Sequence, residues 1–127
     1  MNKREIVTAA VLEIAAAAAP DVKWANKLTG ANRSREKEGS VTCDRVEYIY
    51  KAKGMTFAEA TFSIYLIDVN SVDGVDGLAD AVFDALHDSD LNGTCIKALV
   101  TKVQYGAAKD YPSVGIALLS LDVQYQI

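Results

Sequence analysis

The stretch Gly74-Val75-Asp76-Gly77-Leu78-Ala79-Asp80-Ala81-Val82-Phe83-Asp84-Ala85-Leu86 decides the fold. Val75, Leu78, Ala79, Val82, Phe83 and Leu86 fall at successive i, i+3 and i+4 positions, the apolar stripe of an amphipathic helix. Asp73 is a natural N-cap, and Asp76 and Asp80 suit the positive end of the helix dipole. Leu91-Asn92-Gly93 closes the segment. This spacing predicts Leu78, Val82, Phe83 and Leu86 against a sheet.

Strands flank that helix on both sides. Val46, Tyr48 and Tyr50 alternate with Glu47, Ile49 and Lys51, the period of an extended chain. Lys53-Gly54 turns the chain into a long partner strand over residues 56–69, with Phe62, Ile64 and Leu66 on one face. Tyr65 and Ile67 make the other face apolar too, which asks for cover on both sides. After the helix, residues 96–105 and 114–125 form a second strand pair joined through Asp110-Tyr111-Pro112-Ser113. Leu119, Leu121, Val123 and Tyr125 share one face of the last strand.

The N-terminal segment is a helix of different character. Asn2 caps it, and Glu5 three positions on reaches back. Val7, Ala10, Val11, Ile14, Ala17 and Ala18 lie on one stripe, while Ala15, Ala16 and Ala19 offer small surfaces for close approach. Pro20 ends it. Two readings follow: packing within a monomer, or a helix held between its own sheet and a neighbouring subunit. Residues 25–45 then read as the longest irregular stretch, with Lys27, Arg33, Arg35, Lys37 and Arg45 interleaved with Glu36, Glu38 and Asp44. A loop of that length in a compact domain is functional or ordered by a partner. The fold class is therefore α+β in the order α-β-β-α-β-β, a mainly antiparallel sheet with two helices packed on it.

Composition bounds what the chain does. Its 127 residues make one domain, 1–127, large enough to bury roughly two-thirds of its unfolded surface. Half the residues are hydrophobic and 24% charged, as in a folded globular protein. A net charge of −4 argues against non-specific binding to nucleic acid. Lys3 and Arg4 before an apolar run imitate a secretory leader, but Glu5 and Glu13 interrupt it. No run approaches the roughly 18 apolar residues of a membrane span. These features, with only Cys43 and Cys95, point to a protein made inside the cell with reduced thiols.

Reactive constellations are missing from the sequence. Asp88-Ser89-Asp90-Leu91-Asn92-Gly93 matches the opening of a calcium loop, but the twelfth position, which needs a bidentate Glu, is Leu99. A helix C-cap and turn account for the same residues. His87 is the single histidine, in no zinc-binding spacing with the two cysteines, and reads as a surface residue compensating the helix dipole. Gly74-Val75-Asp76-Gly77 lacks dinucleotide-binding spacing. No metal, cofactor or catalytic residue is expected.

The order and character of these elements resemble the tail-terminator, or tail-completion, proteins of tailed phages and phage-derived contractile particles. The resemblance is carried by the helix over residues 4–19, the charged loop and the strand Thr61-Phe62-Ser63-Ile64-Tyr65-Leu66-Ile67. It continues through residues 78–86, Leu91-Asn92-Gly93 and the last strand over residues 115–125. It implies a structural protein in which six copies form a ring that caps the finished tail tube and presents a head-joining surface. Its partners would be further copies of itself, the tube protein, the sheath and the head connector. The protein would pass from the host cytoplasm into the particle tail. Lys27, Arg33, Arg35, Glu36 and Lys37 of the loop, with Tyr65 and Ile67 of the outward strand face, would make the contacts. Two other classes remain open: a head-side connector, and a small-molecule-binding regulatory module suggested by Asp73-Gly74 and Gly77-Leu78 before an amphipathic helix.

Overall fold

A computed structural model describes residues 2–25, 37–52, 55–68, 74–108 and 111–127. The elements are α1 (Lys3–Ala18), β1 (Lys23–Ala25), β2 (Glu38–Ala52), β3 (Met55–Asp68), α2 (Gly74–Leu86), β4 (Lys97–Ala108) and β5 (Tyr111–Gln126). They give an α+β fold whose five-stranded sheet has the order β1-β2-β3-β5-β4. All neighbours are antiparallel except β1 with β2. This matches the expected architecture with one addition, the three-residue β1.

Residues 38–45, read from sequence as the end of an irregular loop, belong to β2. Mixed charge and Gly39 hid the strand, because its alternation there is hydroxyl, acid and thiol rather than plainly apolar. Gly39 has a definite reason. The Trp24 ring of β1 lies over it so closely that an added Cβ would stand 2.8 Å from ring carbons and 2.9 Å from Val22. Trp24 is held there by its indole N–H, which donates to the Ala19 carbonyl at 3.3 Å.

α1 opens as the sequence indicates. The Asn2 side chain accepts from the Glu5 N–H at 2.9 Å, and Glu5 reaches back to the Asn2 side-chain amide at 3.1 Å rather than to its backbone. The buried stripe is Val7, Ala10, Val11, Ala15 and Ala19; Ile14 is only partly buried and Ala17 is exposed. The stripe therefore drifts one position from the expected one near the C-terminus. Alanine leaves little apolar contrast to read there: Ala15, Ala16, Ala17 and Ala18 are chemically alike.

α2 buries Val75, Ala79, Val82 and Leu86. Leu78 and Phe83, expected at the centre of the packed face, flank it and are half-buried. Phe83 instead stacks on the His87 ring, centroids 4.7 Å apart and planes 14° from parallel. Asp73 lies outside the described residues.

The connection after α2 is a built turn. Asp88, Leu91, Asn92 and Gly93 all take positive φ, at 61°, 51°, 59° and 80°. The Asp90 carbonyl accepts from the N–H groups of Gly93, Thr94 and Cys95. Burying the Leu91 side chain completely offsets its unfavourable backbone. His87 is not the surface residue the sequence suggests. Its Nδ1 accepts from the Val100 N–H at 3.0 Å, tying the end of α2 to β4.

Candidate assembly surface

Strand register divides the sheet into two faces of opposite chemistry. On one face, β3 contributes Ala58, Ala60, Phe62, Ile64 and Leu66, and β5 contributes Ala117, Leu119, Leu121, Val123 and Tyr125, all buried. Both helices pack here, and their buried residues join these in one core. An unbroken run of small and large apolar groups on a pleated surface is what a pair of helices covers.

The opposite face reads as transverse rows. Glu47, Glu59, Gln124 and Lys97 stand side by side across β2, β3, β5 and β4. Next come Arg45, Thr61, Asp122 and Leu99, and then Thr42, Ser63, Ser120 and Lys102. Ser40, Tyr65, Leu118 and Gln104 follow. The last row holds Glu38, Ile67, Ile116 and Gly106. Among the described residues, neither helix lies on this face. Side-chain hydrogen bonds organise its centre: Thr61 donates to Asp122 at 3.3 Å, Thr42 donates to Asp44 at 3.2 Å, and Ser63 donates to the same carboxylate. Arg45 and Glu47 pair at 3.4 Å, both well exposed.

Of the interface residues expected from sequence, Tyr65 and Ile67 share this face but differ in burial. Tyr65 is 36% exposed, whereas Ile67 is 6% exposed and offers little surface. Glu38 and Ser40, at the same end of the sheet, are buried as well. The apolar patch is therefore smaller than two residues would suggest. Lys37 stands at the entry to β2, where its carbonyl accepts from the Lys23 N–H at 2.8 Å. Lys27, Arg33, Arg35 and Glu36 lie outside the described residues.

The sheet edges are set by strand order rather than by local periodicity. β1 pairs with β2 only at Glu38, Gly39 and Ser40, so residues 41–47 of β2 stand at one margin of the described sheet. β4 forms the other margin. Large hydrophobic side chains mark both: Tyr48 is 68% exposed, Ile96 56% and Tyr105 53%. The available signal was Tyr48 and Tyr105 at in-facing positions of strands too near the margin for a helix to reach.

A shallow groove of about 540 Å³ between α1 and β2 is lined by Arg4, Glu5, Thr8, Ala9, Leu12, Val41 and Cys43. Burial pushes the thiols of Cys43 and Cys95 up from their ordinary range, which disfavours the nucleophilic thiolate. Both cysteines are unpaired with each other. Among the described residues no cluster of three His, Cys, Asp or Glu side chains is placed to hold a metal ion. No described helix is long and apolar enough to cross a membrane.

No protein-family model matches the sequence, and no curated protein matches it. Among solved structures, a chain from the virion of a native gene transfer agent particle shares the fold. Its TM-score is 0.72 at 18% identity, covering 94% of each chain. The type 4 fimbrial biogenesis protein PilO from Pseudomonas aeruginosa gives a TM-score of 0.46 at 7% identity, over 97% of this chain and 71% of that one. The second likeness is too weak to carry an argument.

Proposed function

We propose that this protein is a structural component of a phage-derived particle, working as a ring at the end of the tail tube and presenting the surface that the head joins. The observation that carries the reading is the fold shared end to end with a gene transfer agent virion chain. The described surface agrees: it offers rows of hydroxyl and charged groups on a sheet face without helices, and no grouping suited to covalent chemistry.

The energetics of such a role are those of repeated heterologous contacts. Each copy donates one surface and accepts on another, and closure of the ring adds a contact without further loss of rotational freedom. Six copies are the number the tail-terminator reading implies. Contacts of this kind bury little per copy before closure, so the free chain is monomeric when dilute and assembles on the tube. Lys27, Arg33, Arg35, Glu36 and Lys37, together with Tyr65, are assigned to contacts with the tube, the sheath or the head connector. Ile67, on the same face but nearly buried, offers little to such contacts.

The decisive experiment removes the protein from the assembling particle. Tails made without it should run past their normal length or fail to join heads, and adding the purified protein back should restore both. Reversing Arg33 and Arg35 to Glu should weaken capping while leaving the melting temperature unchanged. Tails of normal length that join heads without the protein would sink the reading. Labelled protein found only on the head side of the joint would reassign it as a head connector.

A further inference from the structure

Resting on that ring reading, we infer that neighbouring copies join edge to edge, residues 41–47 of β2 in one copy pairing with residues 97–103 of β4 in the next. Strand direction is the first support. β2, β3, β5 and β4 alternate in direction across the sheet, each antiparallel to its neighbour. Four alternating strands make a repeat in which the β4 of one copy is antiparallel to the β2 of the next. A head-to-tail series thus continues one antiparallel sheet, and an odd number would have forced a parallel seam.

Chemistry at matched levels is the second support. Lys97 of β4 lies in the same transverse row as Glu47 of β2, so edge pairing at that level sets an ammonium beside a carboxylate. Within one copy Glu47 faces Glu59 directly, a like-charge cross-strand pair that is destabilising unless a cation lies close by. The neighbour's lysine would supply a second cation besides Arg45. Lys102 falls on the level of Thr42, next to Asp44. Residues 97–103 carry two lysines and no acid, whereas residues 41–47 carry two acids and one arginine.

Two exposed apolar groups stand beside the seam. Tyr48 shares a row with Ala58 and Tyr125, and Ile96 immediately precedes β4, its N–H donating to the Gln124 carbonyl. Joining the edges brings the most exposed large hydrophobic side chains of the two margins together and removes both from water.

The bulges fit the same picture. β2 is kinked between Cys43 and Arg45, and β4 between Val100 and Lys102, positions that differ by one residue in level. Bulged margins resist pairing with flat strands, which protects a free monomer from indiscriminate aggregation, while a partner kinked at a corresponding height follows the contour. β1 limits the contact at its upper end, because it already occupies β2 at Glu38, Gly39 and Ser40.

Cysteine cross-linking tests the contact on the full chain. With Cys43 and Cys95 changed to Ser, Glu47→Cys combined with Lys97→Cys should oxidise to a ladder of linked copies on assembled tails. Either single cysteine should stay unlinked on assembled tails, because its neighbour across the seam has no thiol there. Arg45→Cys and Ile49→Cys with Lys97→Cys cover the registers two residues away. In the native cysteine background, Lys97→Glu should raise the concentration of half-assembly by about tenfold, and Lys97→Glu with Glu47→Lys should recover it, as expected for a close charge pair. Rings that scatter light at the wild-type mass but link in none of the three registers, and ignore the charge reversal, would overturn the edge contact and leave the ring reading intact. Wild-type protein that stays monomeric at every concentration, with and without tails, would overturn both.

Discussion

The two faces of the sheet come from the same strands yet obey different rules. In β3, Phe62, Ile64 and Leu66 face the helices and are wholly buried, while Thr61, Ser63 and Tyr65 between them keep contact with solvent. Alternation every second residue makes the division possible, since neighbouring side chains point to opposite sides. On the helix side, stability comes from close packing, where each methylene matters. On the bare side it comes from hydroxyl and carboxylate pairs that water competes for, and such a surface costs little to expose and recognises partners by pattern.

The sharpest way to break this contrast is to truncate neighbouring residues of β3. Phe62→Ala should lose about 3–5 kcal/mol, read from denaturant titration, because its ring is fully enclosed. Ser63→Ala, one residue away, should lose less than about 1 kcal/mol, since its bond to Asp44 is exposed. Similar losses at the two positions would mean the faces are misassigned.

A smaller effect is expected at the sheet margin. Gly39→Ala should destabilise by roughly 1–3 kcal/mol, because a methyl group there must displace Trp24 or Val22. The indole fluorescence of Trp24, the single tryptophan, should shift in parallel. An unchanged spectrum together with unchanged stability would show that Trp24 does not seal this end of the sheet.

Helix capping comes next. Asn2→Ala should cost about 1 kcal/mol of stability by removing the acceptor for the Glu5 N–H. The thermal midpoint measures this, and no change would mean that the first turn frays.

The smallest effect is on pH dependence. Burial pushes the pKa of Cys43 and of Cys95 above the ordinary 9.0, so the folded state holds those protons more tightly than the unfolded chain. Their contribution to stability is complete below pH 9.0 and declines as pH climbs through the raised native values. Replacing both with Ser should flatten the stability profile above pH 9.0, and both thiols should react faster with a thiol reagent once the chain is unfolded. An unaltered slope would remove the thiols from the account.

Local pattern carried much of the fold. The 3.6-residue repeat of α2, the alternation in β3 and β5, and the Asn2 cap are properties of neighbouring residues, so they are legible without knowing what packs on them. The missing closing carboxylate at Leu99 and the solitary His87 likewise argued against a metal site from spacing alone. Tertiary structure decided the rest. It recruited residues 38–45 into β2 by pairing them with residues 61–67 of β3, and it set Phe83 at the rim of the core, stacked on His87. It turned His87 from a solvated end group into an acceptor for Val100, and it set Lys97 level with Glu47 across four strands. Each depends on contacts between residues distant in the chain, where register and layer geometry, rather than any local period, determine which groups meet.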